Sequence, residues 1–115
     1  MSAFWIKVTG ISGAAAVALG AIGAHAILKK DDYMKDTWRT ANFYHFIHTC
    51  ALGFTAFHFT GRKRVIVGSL LLTGIVLFSG SLYTIVIMND RKPFASIAPY
   101  GGMSFIAAWI AFGFL

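Results

Sequence analysis

Four long apolar segments, separated by short basic clusters, place the strongest constraint on the fold of this chain. They cover residues 4–28, 42–60, 65–88 and 99–115 and leave little of the 115 residues outside them. A helix needs about 20 mainly apolar residues to cross a hydrocarbon core of roughly 30 Å, with about 17 as the lower limit. Because each segment reaches that length, the sequence predicts an all-α membrane protein in which four transmembrane helices pack as one bundle.

The composition agrees with this prediction and limits the number of domains. Apolar residues make up 57% of the chain and charged residues only 12%, which is too apolar for an ordinary soluble domain. The length allows one domain, so we treat residues 1–115 as a single integral membrane domain. Cys50 is the only cysteine, which excludes an intramolecular disulfide and a thiolate metal cluster.

The net charge of +6 indicates which anionic partner the chain meets. The basic residues form short clusters beside the apolar segments, at residues 29–39, 62–64 and 91–92. This distribution is typical of residues that flank membrane spans. We therefore expect contacts with membrane lipid headgroups and no binding of nucleic acid.

Two features of the connections have alternative interpretations. Residues 29–41 carry mixed charges and aromatic side chains, which suits either a short interfacial helix or a solvated loop. The tripeptide at residues 24–26 imitates a signal-peptide cleavage site, but the preceding apolar stretch exceeds the ~7 to 15 residues of a signal peptide. The first span is therefore expected to be retained.

The basic-residue rule predicts the orientation in the membrane. It places the first and third connections on the inner side of the membrane.

Small residues on three of the spans predict close contacts between helices. Helices in a bilayer associate through close van der Waals approach, which small side chains allow. The predicted helix-packing positions are Ser12, Gly13, Ala16, Gly20, Gly23, Ser69, Thr73, Gly80, Gly101 and Gly102. The last two also suit a broken helix of the kind that forms ion sites in transporters.

The second span carries a polar face formed by Asn42, His45, His48 and Thr49. Polar side chains inside a membrane are unfavourable unless they find partners, so this face predicts either interhelical hydrogen bonds or a ligand site. His25 lies near the end of the first span and is expected at the same membrane level as the start of the second. The ligand interpretation therefore uses His25, His45 and His48 to bind haem or quinone.

The sequence contains no arrangement typical of catalysis. It has no phosphate-binding glycine loop, no paired carboxylates and no Ser/His/Asp set. All four acidic residues lie outside the predicted spans, and no set of metal ligands is evident. We expect no catalytic residue, no metal site and no resident cofactor.

Four runs of residues suggest a known family. They are ALGAIGAH at residues 18–25, WRTANFYHFIH at residues 38–48, FSGSLY at residues 78–83 and APYGGMSF at residues 98–105. In this order they resemble the transmembrane protein 256 family, whose bacterial members are small inner-membrane proteins of unknown function. The resemblance implies a four-span domain in the mitochondrial inner membrane, or alternatively in a bacterial plasma membrane, and no established activity.

These observations lead to three functional hypotheses. The favoured one is a non-catalytic structural, accessory or assembly component that contacts other integral membrane proteins in a larger complex, such as a respiratory complex. The second is a haem- or quinone-binding membrane protein. The third is a carrier of small solutes or ions that uses the polar face of the second span.

Overall fold

The computed structural model describes residues 2–115, with side chains from residue 3 onward, so residue 1 of the predicted domain lies outside the described residues. Within this range the chain is helical and contains no strand. The long helices are α1 (Ser2–His25), α2 (Asp32–His58), α3 (Gly61–Met88) and α4 (Ala98–Phe114). A one-turn helix, Lys92–Ala95, precedes α4. The predicted all-helical fold and the count of four long helices are confirmed.

Among the described residues, three helical segments are long and apolar enough to cross a membrane, where the sequence predicted four spans. The three segments are Ala3–His25, Gly61–Met88 and Lys92–Phe114. Helix α2 has 27 residues and is therefore long enough. Its mean hydropathy is lowered by the charged residues of its first turns and by the polar residues of its inner face.

Helix α2 begins ten residues before the predicted second span. The carboxylate of Asp31 caps it by accepting a hydrogen bond from the backbone N–H of Met34 at 2.9 Å, and Asp32 lies in the first turn. Acidic residues at these positions stabilise a helix N-terminus. Most of the connection expected at residues 29–41 is therefore neither a loop nor a separate interfacial helix, but the start of α2.

The connection between α2 and α3 is shorter than predicted and contains only Phe59 and Thr60. Gly61 begins α3 with a φ of 57°, a left-handed conformation that glycine adopts without strain. Nε of Arg64 donates a hydrogen bond to the carbonyl of Phe59 at 2.7 Å and so satisfies a backbone acceptor after α2. Residues 61–64, expected to form the connection, are instead the first turn of α3.

The local irregularity of the bundle lies in α3 and not at the glycine pair of α4. Residues Ile75–Ser79 form a π-helical turn within α3. Helix α4 runs through Gly101 and Gly102 without interruption. Gly101 is buried against the backbone of Phe78, so this glycine permits close packing of α4 on α3.

The helices pack as antiparallel neighbours in chain order, with α1 on α2, α2 on α3 and α3 on α4. The larger apolar core lies among α2, α3 and α4, and the indole of Trp5 reaches it from α1. A second core near the other end contains Trp38, Tyr83 and Ile85. Between these two cores a groove separates α1 from α3, so α1 lies at the edge of the bundle.

Candidate functional site

The polar face of α2 points into the protein. His45, His48 and Thr49 are buried, and Asn42 is half-buried. Phenylalanines on the opposite side, Phe43 and Phe57, are 61% and 74% exposed. The polar side chains of α2 therefore meet other helices, while its phenylalanines face outward.

Helix α1 supplies small residues and backbone acceptors to this face. Oγ of Ser12 lies 3.1 Å from Nε2 of His45 and 2.7 Å from Oγ1 of Thr49. The amide nitrogen of Asn42 donates to the carbonyl of Ala16 at 2.9 Å. Because α1 has only small side chains here, its backbone comes close enough to accept such bonds.

Helix α3 contributes the hydroxyl group of Tyr83 to the side chains of this face. Nδ2 of Asn42 donates a second hydrogen bond to this hydroxyl at 3.0 Å, and Nδ1 of His45 lies 2.9 Å from it. Tyr83 itself is buried. The three residues therefore join α2 to α3, and through Ser12 also to α1.

The directions of these hydrogen bonds follow from one fixed point, the carbonyl of Ala16. A carbonyl oxygen only accepts, so the Asn42 atom in contact with it is the amide nitrogen, which only donates. The same nitrogen donates to the Tyr83 hydroxyl. The assignment that also gives the hydroxyl proton an acceptor has Tyr83 donate to Nδ1 of His45, which places the His45 proton on Nε2 and directs it to Ser12.

His48 is satisfied by different partners. Nδ1 lies 2.7 Å from the carbonyl of Tyr44 and must donate to it, while Nε2 accepts a hydrogen bond from the indole N–H of Trp109 at 3.0 Å. The imidazole also stacks on the ring of Phe105, with 3.6 Å between ring centroids. Both nitrogens of His48 are therefore occupied, and binding of a haem iron there would require one of these bonds to break.

The structure does not bring His25 to the other two histidines. His25 is exposed at the end of α1, whereas His45 bonds to Ser12. The 13 residues from Ser12 to His25 correspond to about 20 Å along a helix. The expectation of equal membrane level is wrong because α2 extends ten residues beyond the predicted span, so that residues before Trp38 lie beside His25.

The small residues of α1 lie where a helix contact was predicted. Ser12, Gly13, Ala16, Gly20 and Gly23 all face α2. Gly20 lies against the side chain of Asn42, and Gly23 lies against the indole of Trp38. This indole donates to the carbonyl of Leu19 at 2.9 Å. Gly20 and Gly23 thus leave room for polar side chains of α2 to reach α1.

The small residues predicted for α3 lie on another face. Ser69 and Thr73 are exposed, and Gly80 borders the groove beside α1. The close contacts are made by Gly68, against the ring of Trp5, and by Gly74, against the ring of Phe105. Small residues occur on both sides of α3, so their presence alone could not identify the inward face. On α4, Gly101 packs on α3, while Gly102 is only half-buried.

Sequence reasoning did not pair the polar face with its partners on α3 and α4. Tyr83 and Trp109 supply the hydroxyl and the indole that meet the histidines, and Ser79 donates to the carbonyl of Ala41 at 2.8 Å. A buried histidine needs hydrogen-bond partners, so the sequence did indicate that the neighbouring spans supply them. It could not indicate which of the several polar residues of α3 and α4 these partners are.

A lateral groove of about 510 Å³ lies between α1 and α3, beside this network. Ser12, His45 and Tyr83 form its base, next to the π-helical turn of α3. Its walls are apolar and include Val8, Ile11, Leu19, Leu72, Ile75 and Val76. The groove has the size and the character of a site for an apolar ligand.

The chemistry of this region is that of hydrogen bonding. Among residues 3–115, every buried side-chain nitrogen or oxygen has a hydrogen-bond partner. In the same part of the chain, no group of three His, Cys, Asp or Glu side chains is placed to hold a metal ion. The network joins three helices and presents little uncommitted polar surface.

Comparison with known proteins gives one family and several relatives. The family model described as "Protein of unknown function (DUF423)" matches residues 19–102. The UPF0382 membrane protein YwdK of Bacillus subtilis is 41% identical over 108 residues, which cover 87% of this chain and 85% of the relative. The UPF0382 inner membrane protein YgdD of Escherichia coli is 37% identical over 115 residues, covering 94% of this chain and 85% of the relative.

A fungal protein is also similar. A UPF0382 membrane protein of Schizosaccharomyces pombe is 31% identical over 109 residues, covering 90% of this chain and 92% of the relative. No solved structure matches the chain significantly. The similarity therefore extends over nearly the whole chain in bacterial and fungal membrane proteins.

Proposed function

Because the chain belongs to the DUF423 family of proteins of unknown function, we propose that it is a non-catalytic accessory or assembly component of a larger membrane complex. The predicted membership in a family of small inner-membrane proteins of unknown function is confirmed. The chain is a multi-pass membrane protein, as its relatives' names and its three long apolar helices indicate. The accessory role and the location in one particular membrane are our proposals.

We further propose that α2 is a fourth transmembrane helix. Its 27 residues correspond to about 40 Å, which exceeds the hydrocarbon core. The residues that lower its hydropathy inside the bundle, His45, His48 and Thr49, are buried. The side chains that would meet lipid are exposed and apolar, among them Phe43 and Phe57. Burial of the polar face supports a membrane span despite the modest mean hydropathy.

The description of the Escherichia coli relative as an inner membrane protein supports the same class of membrane for this chain. The mitochondrial inner membrane and the bacterial plasma membrane both belong to that class. The respiratory nature of the complex stays a prediction.

The observation that carries the accessory role is the internal satisfaction of the polar face. The ring nitrogens of His45 and His48 bond to groups of the same chain, and so do Asn42 and Thr49. A site for chemistry requires groups that can meet a substrate. Because these groups already hold helices together, they support a structural role for the interior. Contacts with other proteins would then be made by the outer surface.

The outer surface of α1 carries small residues that another membrane helix can contact. Gly10, Ala14, Ala18 and Ala21 are exposed on the side opposite α2. A side chain at Gly10 would meet nothing within 4 Å. Small residues one helical turn apart allow a second helix to approach closely. Since α1 lies at the edge of the bundle, such a helix would meet no obstacle from α3.

The test is purification of the tagged chain from its native membrane in a mild detergent, followed by native gel analysis. We expect co-purifying membrane proteins with the wild type and their loss with the pair Gly10→Leu and Ala14→Leu. The control is Ser69→Leu with Thr73→Leu, which likewise places two leucines one turn apart at exposed positions, but on α3. A wild type that is monomeric and free of partners would overturn the proposal.

A second candidate function, quinone binding, is favoured by the groove that reaches Ser12. The hydroxyls of Ser12 and Thr49 can each be the donor of the bond between them. If Thr49 donates, the Ser12 hydroxyl is available to a quinone carbonyl in the groove. Titration of a short-chain quinone should then show binding that Ser12→Ala weakens and that His25→Ala leaves unchanged. An unchanged affinity in Ser12→Ala would exclude this candidate.

A further inference from the structure

A second cavity, which borders the polar face only at Asn42, lies where α1 ends beside the first turns of α2. Its volume is about 320 Å³. Helix α2 lines it with Lys35, Trp38, Arg39 and Asn42. The opposite wall is formed by Gly20, Gly23 and Ala24 of α1 and by Ile27 and Leu28 just beyond its end. The cavity therefore combines two cations with an apolar wall.

The cations at the mouth of this cavity are available to an anion. Lys35 is half-buried and, among the described residues, has no ion-pair partner. Arg39 contacts Asp36 at 3.0 Å, but these side chains are 73% and 72% exposed, and an exposed pair of this kind is weak. Asp36 does not line the cavity, and the described residues that do line it include no carboxylate. The charged side chains that line the cavity are therefore both basic.

The depth of the cavity agrees with the level of lipid headgroups. The apolar helix Ala3–His25 ends within it, so it lies at the boundary between hydrocarbon and water. The indole of Trp38, a side chain enriched at this boundary, forms part of its wall. Lys35 and Arg39 carry long apolar stems that can follow the wall while their charged ends stay at headgroup level.

We propose that this cavity binds the phosphate of an anionic phospholipid headgroup. The ammonium of Lys35 and the guanidinium of Arg39 meet the phosphate, because both groups form strong hydrogen bonds to phosphate oxygens. The first carbons of an acyl chain lie against Ile27 and Leu28. A free phosphate ion would gain nothing from this apolar wall, so the occupant is a lipid. The proposal does not depend on the accessory role.

The test is native mass spectrometry and thermal unfolding of the full chain in mild detergent. Phosphatidylglycerol is the anionic probe, phosphatidylcholine is the zwitterionic probe, and inorganic phosphate is the free anion. We expect retained lipid and a higher Tm with phosphatidylglycerol alone. In the pair Lys35→Gln and Arg39→Gln, affinity should fall roughly 10- to 30-fold, since each cation near an anionic surface contributes about 1 kcal/mol.

The control removes the same charge from the same end of the bundle but outside the cavity. In the pair Lys29→Gln and Lys30→Gln we expect affinity within about twofold of the wild type. Circular dichroism verifies that both pairs fold, and Lys35→Arg should keep the binding. Equal losses in the two pairs would overturn the proposal in favour of diffuse attraction. Binding of phosphatidylcholine or of inorganic phosphate with the same affinity would overturn it as well.

Discussion

The two sides of the bundle are held together by different forces. Between α1 and α2 the contact is polar, with Ser12 bonded to His45 and Thr49, and Asn42 bonded to the backbone of Ala16. Between α3 and α4 it is mainly steric. There the ring of Phe105 lies against Gly74, and Gly101 lies against the backbone of Phe78.

This difference shows two ways to join helices where lipid removes the hydrophobic driving force between them. Glycines opposite large rings give dense van der Waals contact that depends on shape. On the other side, hydrogen bonds between α1 and α2 add to the close packing and hold α1 at the edge of the bundle beside an open groove. We therefore expect shape changes in α3 and α4 to have larger effects than polar changes in α1 and α2.

The largest effect is expected from Gly101→Leu on the steric side. A side chain at this position would overlap the backbone of Phe78, which cannot move aside. The free energy of unfolding should fall by about 3 kcal/mol, because overpacking at a rigid contact forces the helices apart. Denaturation with SDS in mixed micelles measures this loss. Gly113→Leu on the same helix meets open space and should leave stability unchanged.

An intermediate effect is expected from Asn42→Leu on the polar side. This change removes the donor to Ala16 and Tyr83, so α1 and α3 both lose a bond to α2. Interhelical hydrogen bonds in membranes contribute about 0.6 kcal/mol on average and up to about 1.7 kcal/mol, so a loss of about 1.5 kcal/mol is expected. Phe43→Leu, on the exposed side of α2, is the control. A loss larger than that of Gly101→Leu would reverse the comparison between the two sides.

The smallest effect is the coupling between Ser12 and Thr49. A double-mutant cycle with Ser12→Ala and Thr49→Val should give a coupling energy of about 0.6 kcal/mol, since one interhelical bond is removed. The same cycle with His25→Ala in place of Ser12→Ala should give none, because His25 is exposed at the far end of α1. Coupling between His25 and Thr49 would show that the two residues meet after all.

Much of the fold followed from local features of the sequence. The length of the apolar runs predicted the number of long helices, because spanning the hydrocarbon core sets that length. The ends of α2 were harder to predict. The cap at Asp31 makes α2 begin ten residues earlier than predicted. His25 therefore lies beside these added residues and not beside the histidines it was expected to join.

The candidate site was predicted in part. The face containing Asn42, His45 and Thr49 was evident because helical spacing places these residues together. Their partners were not evident. Tyr83 is distant in sequence, and its position along α3 does not indicate that it contacts His45. The α3 stripe of Ser69 and Thr73 had the expected composition, yet it is exposed.

The sequence alone established that this chain is helical, apolar and suited to a membrane, since helix length, apolar composition and helical spacing are properties of single segments. The tertiary structure established what the polar face meets. A hydrogen-bond partner is selected by which atom on a neighbouring helix lies within about 3 Å, and that distance depends on how all the helices pack. For this reason Ser12, Tyr83 and Trp109 could be identified as partners of the two histidines only in the folded bundle.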